Sequence, residues 1–193
     1  MTGIKDAGFD GKAELSYRIT PRKMKYVSVK MKSSHLVYSG KIQKPSLKLS
    51  YKGIPLKAGT DYTVSKATAK NVGTGTIEIT GKGNFSEKRT VTYRIVPKTP
   101  SVTKAKALRG KKIYVRWKTK KNQVSGYQIA YSVRKSFKSG GIVKVGKKSA
   151  VKKTIKVKRA KKKYYVRVRT YKTVKGKKIY SSWSKAKVLK TKR

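Results

Sequence analysis

The residues of this chain that could carry out acid–base or metal chemistry are few. The 193 residues include one histidine, His35, no cysteine and six acids. General acid–base catalysis and metal binding both require several such side chains to converge on one point. His35 stands in Ser33-Ser-His-Leu-Val-Tyr38, at the edge of a predicted strand and without an evident partner. We therefore interpret it as a solvated loop histidine, against the alternatives of a metal ligand or a general base.

The six acids do not form a catalytic pattern either. They are scattered, at Asp6, Asp10, Glu14, Asp61, Glu78 and Glu87. Asp61, in Gly-Thr-Asp-Tyr, is typical of a turn that its own carboxylate supports, and Glu78 lies between two isoleucines, so strand alternation points it to solvent. The sequence contains no recognisable nucleophile–base pair or pair of carboxylates. It predicts a protein that is not an enzyme and has no catalytic residue, metal site or cofactor.

Two glycine pairs, Gly73-Thr-Gly75 and Gly81-Lys-Gly83, raise the question of a phosphate-binding loop. Neither pair has the spacing G-x-x-x-x-G-K-S/T, and neither leads into a predicted helix. We interpret both as hairpin turns.

The remaining chemistry of the side chains is electrostatic. The chain has 54 Lys and Arg residues against six acids, a formal net charge of +48. Self-repulsion on this scale destabilises a compact state, so it favours small separate domains or contact with a polyanion. No acid occurs beyond Glu87, and the C-terminal half is therefore purely cationic.

The basic residues of that half are the candidate polyanion-binding site. Ordinary protein surfaces mix both signs of charge, whereas a surface of one sign is typical of a protein that binds a polyanion. The alternative is that these lysines only solvate the outward faces of strands. The candidates are Lys152, Lys153, Lys156, Lys158, Arg159, Lys161, Lys162, Lys163, Lys172, Lys175, Lys177 and Lys178.

The balance between lysine and arginine bears on which polyanion is involved. Of the 54 basic residues, 43 are lysine and 11 are arginine. Base readout in nucleic acids favours the planar fork of arginine, whereas lysine acts as a point charge that suits diffuse phosphate or sulfate. The composition favours an anionic polysaccharide, a wall polymer or an acidic host surface. Nonspecific nucleic-acid binding remains an alternative, because it requires only phosphates.

A repeat organises the N-terminal half of the chain. Phe9-Asp-Gly-Lys-Ala-Glu-Leu-Ser-Tyr-Arg-Ile-Thr-Pro21 recurs, in register, as Phe85-Ser-Glu-Lys-Arg-Thr-Val-Thr-Tyr-Arg-Ile-Val-Pro97. Both copies alternate apolar and polar residues up to the proline, as a half-buried strand does. The sequence therefore predicts the end of one repeat over residues 1–22, with Pro21-Arg-Lys23 as a linker, and a complete repeat over residues 23–97.

Short alternating segments continue along the whole chain. Tyr26-Val-Ser-Val-Lys-Met31, Pro45-Ser-Leu-Lys-Leu-Ser-Tyr51 and Gly75-Thr-Ile-Glu-Ile-Thr80 are examples, and turn residues separate them. Strands at this spacing without a helical period predict an all-β fold of tandem β-sandwiches. No apolar run approaches the 18 or so residues that would predict a membrane span.

Residues 36–97 resemble a known family of surface modules. Tyr38-Ser-Gly-Lys, Tyr51-Lys-Gly, Gly59-Thr-Asp-Tyr62, Asn71-Val-Gly-Thr-Gly-Thr76 and Ile79-Thr-Gly-Lys-Gly-Asn-Phe85 are similar to the Ig-like repeats of surface and secreted proteins of Gram-positive Clostridia. The resemblance implies an Ig-like sandwich that serves mostly as a stalk or spacer.

Residues 98–193 resemble a fibronectin type III domain. The alternating Lys112-Ile-Tyr-Val-Arg-Trp117 and Tyr164-Tyr-Val-Arg-Val-Arg-Thr170 are similar to its second and sixth strands, with Trp117 as the core tryptophan. Tyr180-Ser-Ser-Trp-Ser184 resembles half of the tryptophan–serine box of cytokine receptors.

A structural cation–π ladder follows from that resemblance. If Val166 and Val168 face the core, Arg167 and Arg169 project from the opposite face of the same strand. Trp183 is then expected on the neighbouring strand, stacked between the two guanidinium groups. The alternative role for Trp183 is stacking on a glycan.

Together these observations predict a non-enzymatic extracellular module, secreted or associated with the cell surface or cell wall. It would be a monomer within an extended array and would attach to or bridge anionic surface polymers. One alternative is a set of spacer or carbohydrate-binding domains that belong to a larger secreted enzyme. Another is a nonspecific nucleic-acid binder.

The absence of a titratable constellation leads to a direct test. We expect the purified chain to show no hydrolase, transferase or redox activity, and a chelator to leave its melting temperature unchanged. A melting temperature that rises with added metal and falls with the chelator would contradict this prediction.

Overall fold

A computed structural model of the chain describes residues 18, 20–118 and 122–192. Nearly all of the predicted end of a preceding repeat, residues 1–22, lies outside these described residues. Within them every regular element is a β-strand except one 3₁₀ turn, Met24–Tyr26. The predicted all-β class is confirmed. The strands fall into an N-terminal unit (residues 22–96) and a C-terminal unit (residues 102–190).

The N-terminal unit contains two main sheets. Its strands are β1 Arg22–Lys23, β2 Ser28–Met31, β3 His35–Val37, β4 Leu47–Tyr51, β5 Ile54–Pro55, β6 Tyr62–Val64, β7 Gly73–Gly81, β8 Phe85–Ser86 and β9 Lys88–Val96. One sheet has the order β2-β4-β5 and the other β3-β9-β7-β6, with β3 parallel to β9. β1 pairs with β8, so Arg22 and Lys23, expected in a linker, lie in a strand of this unit.

Alternation explains why β7 and β9 form the centre of the N-terminal unit. Ile77 and Ile79 of β7, and Tyr93 and Ile95 of β9, are fully buried, and the residues between them are polar. Gly75 lies opposite Tyr93, and a Cβ at position 75 would stand 2.4 Å from the Tyr93 ring. Gly73 and Gly75 both lie in strand β7 and not in the expected hairpin turn. Gly75 makes room there for the Tyr93 ring of the neighbouring strand.

The C-terminal unit is a two-sheet sandwich. Its strands are β10 Val102–Leu108, β11 Lys112–Trp117, β12 Gly126–Ser132, β13 Gly141–Val145, β14 Lys152–Lys156, β15 Lys163–Val174, β16 Lys177–Tyr180 and β17 Lys187–Lys190. One sheet has the order β10-β11-β14. The other has the order β13-β12-β15-β16, and β17 also pairs with β15. This arrangement places a three-stranded sheet against a five-stranded one, a two-sheet layout similar to that of a fibronectin type III-like fold.

The core of the C-terminal unit lies between these two sheets. Trp117, at 1% exposure, packs against Tyr127 with the ring centroids 5.2 Å apart. Ile129, Val166 and Val168 of the facing sheet are fully buried in the same cluster. On β11 each buried residue alternates with a less buried one, whereas β12 is buried on both of its faces.

The two units touch at the end of the sandwich where residues 97–101 join them. The Gln123 side chain donates a hydrogen bond of 3.2 Å to Asn71 Oδ1. Ile179 of β16 packs on the N-terminal cluster that contains Val72 and Tyr93. Thr170 Oγ1 donates a bond of 2.8 Å to the Lys98 carbonyl and so holds the joining segment on β15.

The position of Trp117 predicts a large and local loss of stability. Trp117→Ala should lower the free energy of unfolding of the C-terminal unit by about 3 to 5 kcal/mol, since it removes the largest buried side chain. Tyr114→Ala is the matched control, because Tyr114 faces outward on the same strand. Denaturant melts followed by tyrosine fluorescence and circular dichroism would measure both. Equal losses for the two variants would mean that the inner face of β11 is assigned wrongly.

Candidate functional site

The structure distributes the predicted polyanion-binding residues over three places. Lys152 and Lys156 lie on β14, the cluster from Lys158 to Lys163 lies at the β14–β15 connection, and Lys172 to Lys178 lie on the β15–β16 hairpin. The last two clusters are at opposite ends of β15. At about 3.3 Å per residue, the 12-residue strand separates them by roughly 35 Å. The predicted residues therefore do not form one continuous patch.

The sheet β10-β11-β14 of the C-terminal unit has an outer surface that the sequence analysis did not single out. Ile113, Val115 and Trp117 are buried, so the alternate residues of β11 face outward. The register then sets basic residues of neighbouring strands opposite each other. We call the resulting surface the cationic face; it consists of Lys104, Lys106, Lys112, Tyr114, Arg116, Lys152 and Lys156.

Like charges oppose each other directly on the cationic face. Arg116 stands between Lys104 on one side and Lys152 on the other, and Lys112 is paired with Lys156. Such pairs destabilise a sheet. The ion pairs of the described residues, Lys23–Glu87 and Lys88–Glu78, both lie in the N-terminal unit. The cationic face thus has no acid to compensate it.

Sequence reasoning missed four basic residues of this face, Lys104, Lys106, Lys112 and Arg116, for a simple reason. On β10 and β11 the basic residues alternate with apolar residues, so no long run of charges appears in the sequence. Only the register of three strands brings them together. Lys153 is one of the predicted polyanion-binding residues. It is opposite Val115, so it lies on the inner face of β14 and not on the cationic face, although its side chain is exposed.

Hydrogen bonds to the side chains of Tyr164 and Thr191 fix the backbone of the cluster at the β14–β15 connection. The amide of Arg159 donates 3.3 Å to the Tyr164 hydroxyl, and Thr191 Oγ1 donates 3.0 Å to the Arg159 carbonyl. The amide of Lys162 donates 3.2 Å to Thr191 Oγ1. The side chains of Lys158, Arg159 and Lys161 to Lys163 are exposed, and Lys163 is paired with Lys190 across the strands.

The cluster on the β15–β16 hairpin lies next to the N-terminal unit. Lys175 forms the turn, in the left-handed conformation at φ 46°, and lines a cleft with residues 68–74. Lys177 and Lys178 pair with Val174 and Thr173. Lys178 Nζ is 5.7 Å from the centroid of the Tyr171 ring.

The structure brings Arg167, Arg169 and Trp183 together. Arg167 Cζ lies 4.6 Å from the centroid of the Trp183 ring, and Arg169 Cζ lies 4.3 Å from it. Two residues apart on one strand, the arginines are separated by about 7 Å, the space that one interposed ring fills. The indole is therefore covered by a guanidinium group on each side, and neither face is open to a sugar ring.

The stack extends further than the sequence indicated. Phe137 covers the other side of Arg167 at 3.9 Å, and Tyr180 covers Arg169 at 4.0 Å. Gln128, buried on β12, accepts a hydrogen bond of 2.9 Å from Arg169 Nε. The arginine–aromatic stack thus runs Phe137, Arg167, Trp183, Arg169, Tyr180. Gln128 and Tyr180 follow from strand register, but Phe137 comes from the β12–β13 loop, for which the sequence offers no signal.

Burial acts on both guanidinium groups. Burial lowers the pKa of Arg167 and that of Arg169. For Arg169, Tyr180 opposes this decrease, and the positive charge of the neighbouring Arg167 lowers the pKa further. Aromatic rings are therefore the main partners of two charges that no acid neutralises.

The sequence analysis expected Trp183 on a strand next to β15, but in the structure Trp183 does not lie on a strand. It lies in residues 181–186, between β16 and β17, where no strand is formed. Ser181 and Ser184 bind this segment to β15: their amides donate to the carbonyls of Thr170 and Val168, and their hydroxyls accept from the amides of the same two residues. Serine side chains replace backbone acceptors here, which leaves the chain free to turn the indole over the arginines.

The titratable residues considered first have local partners. His35 is exposed at the start of β3, with Nδ1 2.9 Å from Ser34 Oγ. Asp61 accepts a bond of 2.7 Å from the amide of Lys57 and so supports a turn. Among the described residues no group of three or more His, Cys, Asp or Glu side chains could hold a metal ion. None of the described helices is long and apolar enough to cross a membrane.

Comparisons with known proteins concern the fold. No model of a protein family matches the chain, and no curated protein matches it. A Fn3-like protein from Clostridium thermocellum is 15% identical, with coverage of 51% of this chain and 96% of its own and a TM-score of 0.40. The FN1–FN3 domains of chicken CNTN1 are 14% identical, with coverage of 86% and 66% and a TM-score of 0.46. A β-1,2-glucanase from Parabacteroides distasonis is 16% identical over 62% of this chain but 18% of its own length, with a TM-score of 0.41.

The geometry of the arginine–aromatic stack predicts a salt-dependent loss of stability. Trp183→Ala should lower the free energy of unfolding by about 1 to 4 kcal/mol, because it removes two partly buried cation–π contacts. The loss should shrink as salt rises, since the variant leaves two guanidinium groups facing each other without a ring between them. Melts at two salt concentrations would measure it.

Tyr165→Ala is the control for the stack. Tyr165 lies on the same strand, and the centroid of its ring is 5.6 Å from Nζ of the exposed Lys163. Its removal should cost no more than about 1 kcal/mol. The same loss for Tyr165→Ala as for Trp183→Ala would refute the structural role of the stack.

Proposed function

We propose that this chain is a non-enzymatic, extracellular attachment module that holds anionic polymers at a Gram-positive cell surface. The observation that carries the proposal is the cationic face: three strands whose outward basic residues oppose each other in register, with no acid in that half of the chain. A sheet surface that is destabilised by its own charges gains most from an external polyanion.

The chemistry of the face favours a polymer with regularly spaced phosphate, sulfate or carboxylate groups. Five of its six basic side chains are lysines, which act as point charges and carry little geometric information. Neighbouring strands are about 4.8 Å apart and alternate residues about 7 Å apart, so the charges form a grid that an extended chain can follow. Binding by counterion release follows, and it weakens with salt.

The two basic clusters at the ends of β15, one at the β14–β15 connection and one on the β15–β16 hairpin, support attachment to more than one polymer chain. They lie roughly 35 Å apart along β15, and neither is part of the cationic face. Separate weak sites on one rigid body raise the overall affinity for a multivalent surface. The resemblance of residues 36–97 to surface repeats supports the extracellular placement and an extended monomeric array.

The experiment compares two triple variants with the same loss of charge. Lys104→Gln, Arg116→Gln and Lys152→Gln remove one row of the cationic face, whereas Lys172→Gln, Lys177→Gln and Lys178→Gln remove three charges from the hairpin. We expect the first variant to bind wall teichoic acid and heparin more weakly. Its plot of log K against log salt should be shallower by roughly 0.7 to 0.9 for each anionic group that is no longer neutralised, by analogy with nucleic acids. The hairpin variant should weaken binding less than the first variant, because it removes a separate cluster and leaves the cationic face intact.

Three outcomes would contradict the proposal. One is the absence of binding at about 50 mM salt, where screening is modest. Another is equal weakening by both triple variants, which would mean that net charge and not the face is responsible. The third is tighter binding to duplex DNA than to every wall polymer and glycan, which would place the chain among nonspecific nucleic-acid binders.

A further inference from the structure

A cavity at the far end of the C-terminal unit is distinct from both the cationic face and the arginine–aromatic stack. Its volume is about 400 Å³, within the range of roughly 300 to 1,000 Å³ of small-molecule sites. It lies between the β12–β13 loop and the β14–β15 connection. We call it the end pocket; the residues that matter are Tyr131, Arg134, Gly141, Lys158, Arg159 and Tyr164.

Two tyrosines form the apolar wall of the end pocket. The rings of Tyr131 and Tyr164 have centroids 6.4 Å apart; Tyr164 is buried and Tyr131 is half-buried. Gly141 lies opposite Tyr131 in the register, and a Cβ there would stand 2.3 Å from the Tyr131 ring. The glycine therefore lets the ring lie flat against β13, with part of its surface towards the cavity.

Three cations border this wall without a counter-charge. The side chains of Arg134, Lys158 and Arg159 are exposed, and none makes an ion pair or hydrogen bond with another described residue. No acid follows Glu87 in the sequence. The pocket thus combines an aromatic surface with several unpaired donors, a combination suited to a ring that carries an anionic group.

The backbone on both sides of the end pocket is fixed before any ligand binds. Ser132, at 1% exposure, accepts from the amide of Arg134 at 3.0 Å and donates to the carbonyl of Ser139, which closes the β12–β13 loop. Across the cavity, Tyr164 and Thr191 hold the amide and carbonyl of Arg159. Such preorganisation reduces the entropy lost on binding.

We propose that the end pocket binds a single anionic sugar residue, with its carboxylate or phosphate between Arg134 and Arg159 and its ring against Tyr131. Lys158 adds a third donor. This inference rests on the proposed function, because it places one residue of the anionic polymer in a pocket while the rest of the polymer follows exposed lysines. The pocket would give the module a preference among polyanions that the flat cationic face cannot provide.

The test uses monomeric probes on the full chain, because a monomer cannot span the cationic face. Glucuronic acid, glucose 6-phosphate, inorganic phosphate and glucose would be titrated and followed by amide chemical shifts. We expect saturable shifts at Tyr131, Gly140 and Gly141 with at least one of the two anionic sugars, and weaker ones with inorganic phosphate and glucose. The comparison of the two anionic sugars identifies the anionic group.

A matched pair of variants separates this site from general charge. Arg134→Gln with Arg159→Gln should weaken binding of the anionic sugar about tenfold or more, since both charge-assisted donors are lost. Lys32→Gln with Lys41→Gln removes the same charge at exposed positions of the N-terminal unit, outside the surfaces assigned to binding, and should change it less than about twofold. Spectra of both variants would show that each remains folded.

The outcomes distinguish failure of the end pocket from failure of the proposed function. Absence of saturable shifts up to about 10 mM sugar, or equal losses in both double variants, would overturn the end pocket. If wall polymer still binds and still depends on Lys104, Arg116 and Lys152, the proposed function stands without the pocket. Binding of the sugar with no binding of any anionic polymer would support the pocket and refute the polymer-binding function.

Discussion

Arg167 and Arg169 stand side by side on β15, in a half of the chain that contains no carboxylate side chain, and aromatic rings take the place of counter-ions. Phe137, Trp183 and Tyr180 separate and cover the two guanidinium groups. The stack also contacts the outer side of β12, where the buried Gln128 accepts a hydrogen bond from Arg169. The five-stranded sheet that contains β12 and β15 thus faces the core on one side and carries the cation–π contacts on the other.

The opposite sheet faces the same electrostatic problem and does not solve it internally. Lys106 Nζ, at 5.7 Å from the Tyr114 centroid, is the one cation–π contact there among the described residues, and the other basic residues are left facing each other across the strands. One sheet of the sandwich therefore covers its two central arginines with aromatic rings, and the other leaves most of its outward basic side chains available to a partner. That asymmetry makes the outer side of β10, β11 and β14 the surface best suited to an anionic partner.

The sequence was sufficient for features that depend on alternation and not for those that depend on register or loops. Alternation along single strands placed Trp117 in the core and Arg167 and Arg169 on the outer side of β15. The cationic face depends on the alignment of three strands that are far apart in sequence, so no local pattern reveals it. Phe137 reaches Arg167 from a loop in which its own backbone is left-handed, at φ 57°, and the position of such a residue is set by tertiary packing.

The serine-bound segment 181–186 has a consequence for the sheet edge. Between β16 and β17, strand β15 would expose free amides and carbonyls, to which a strand from another molecule could add. Ser181 and Ser184 occupy those groups without forming a strand that could itself be extended. In a protein that carries several sandwiches in a row, neighbouring edges are present at high local concentration. This stretch of β15 therefore offers no free backbone groups at Val168 and Thr170 to a strand from a neighbouring module.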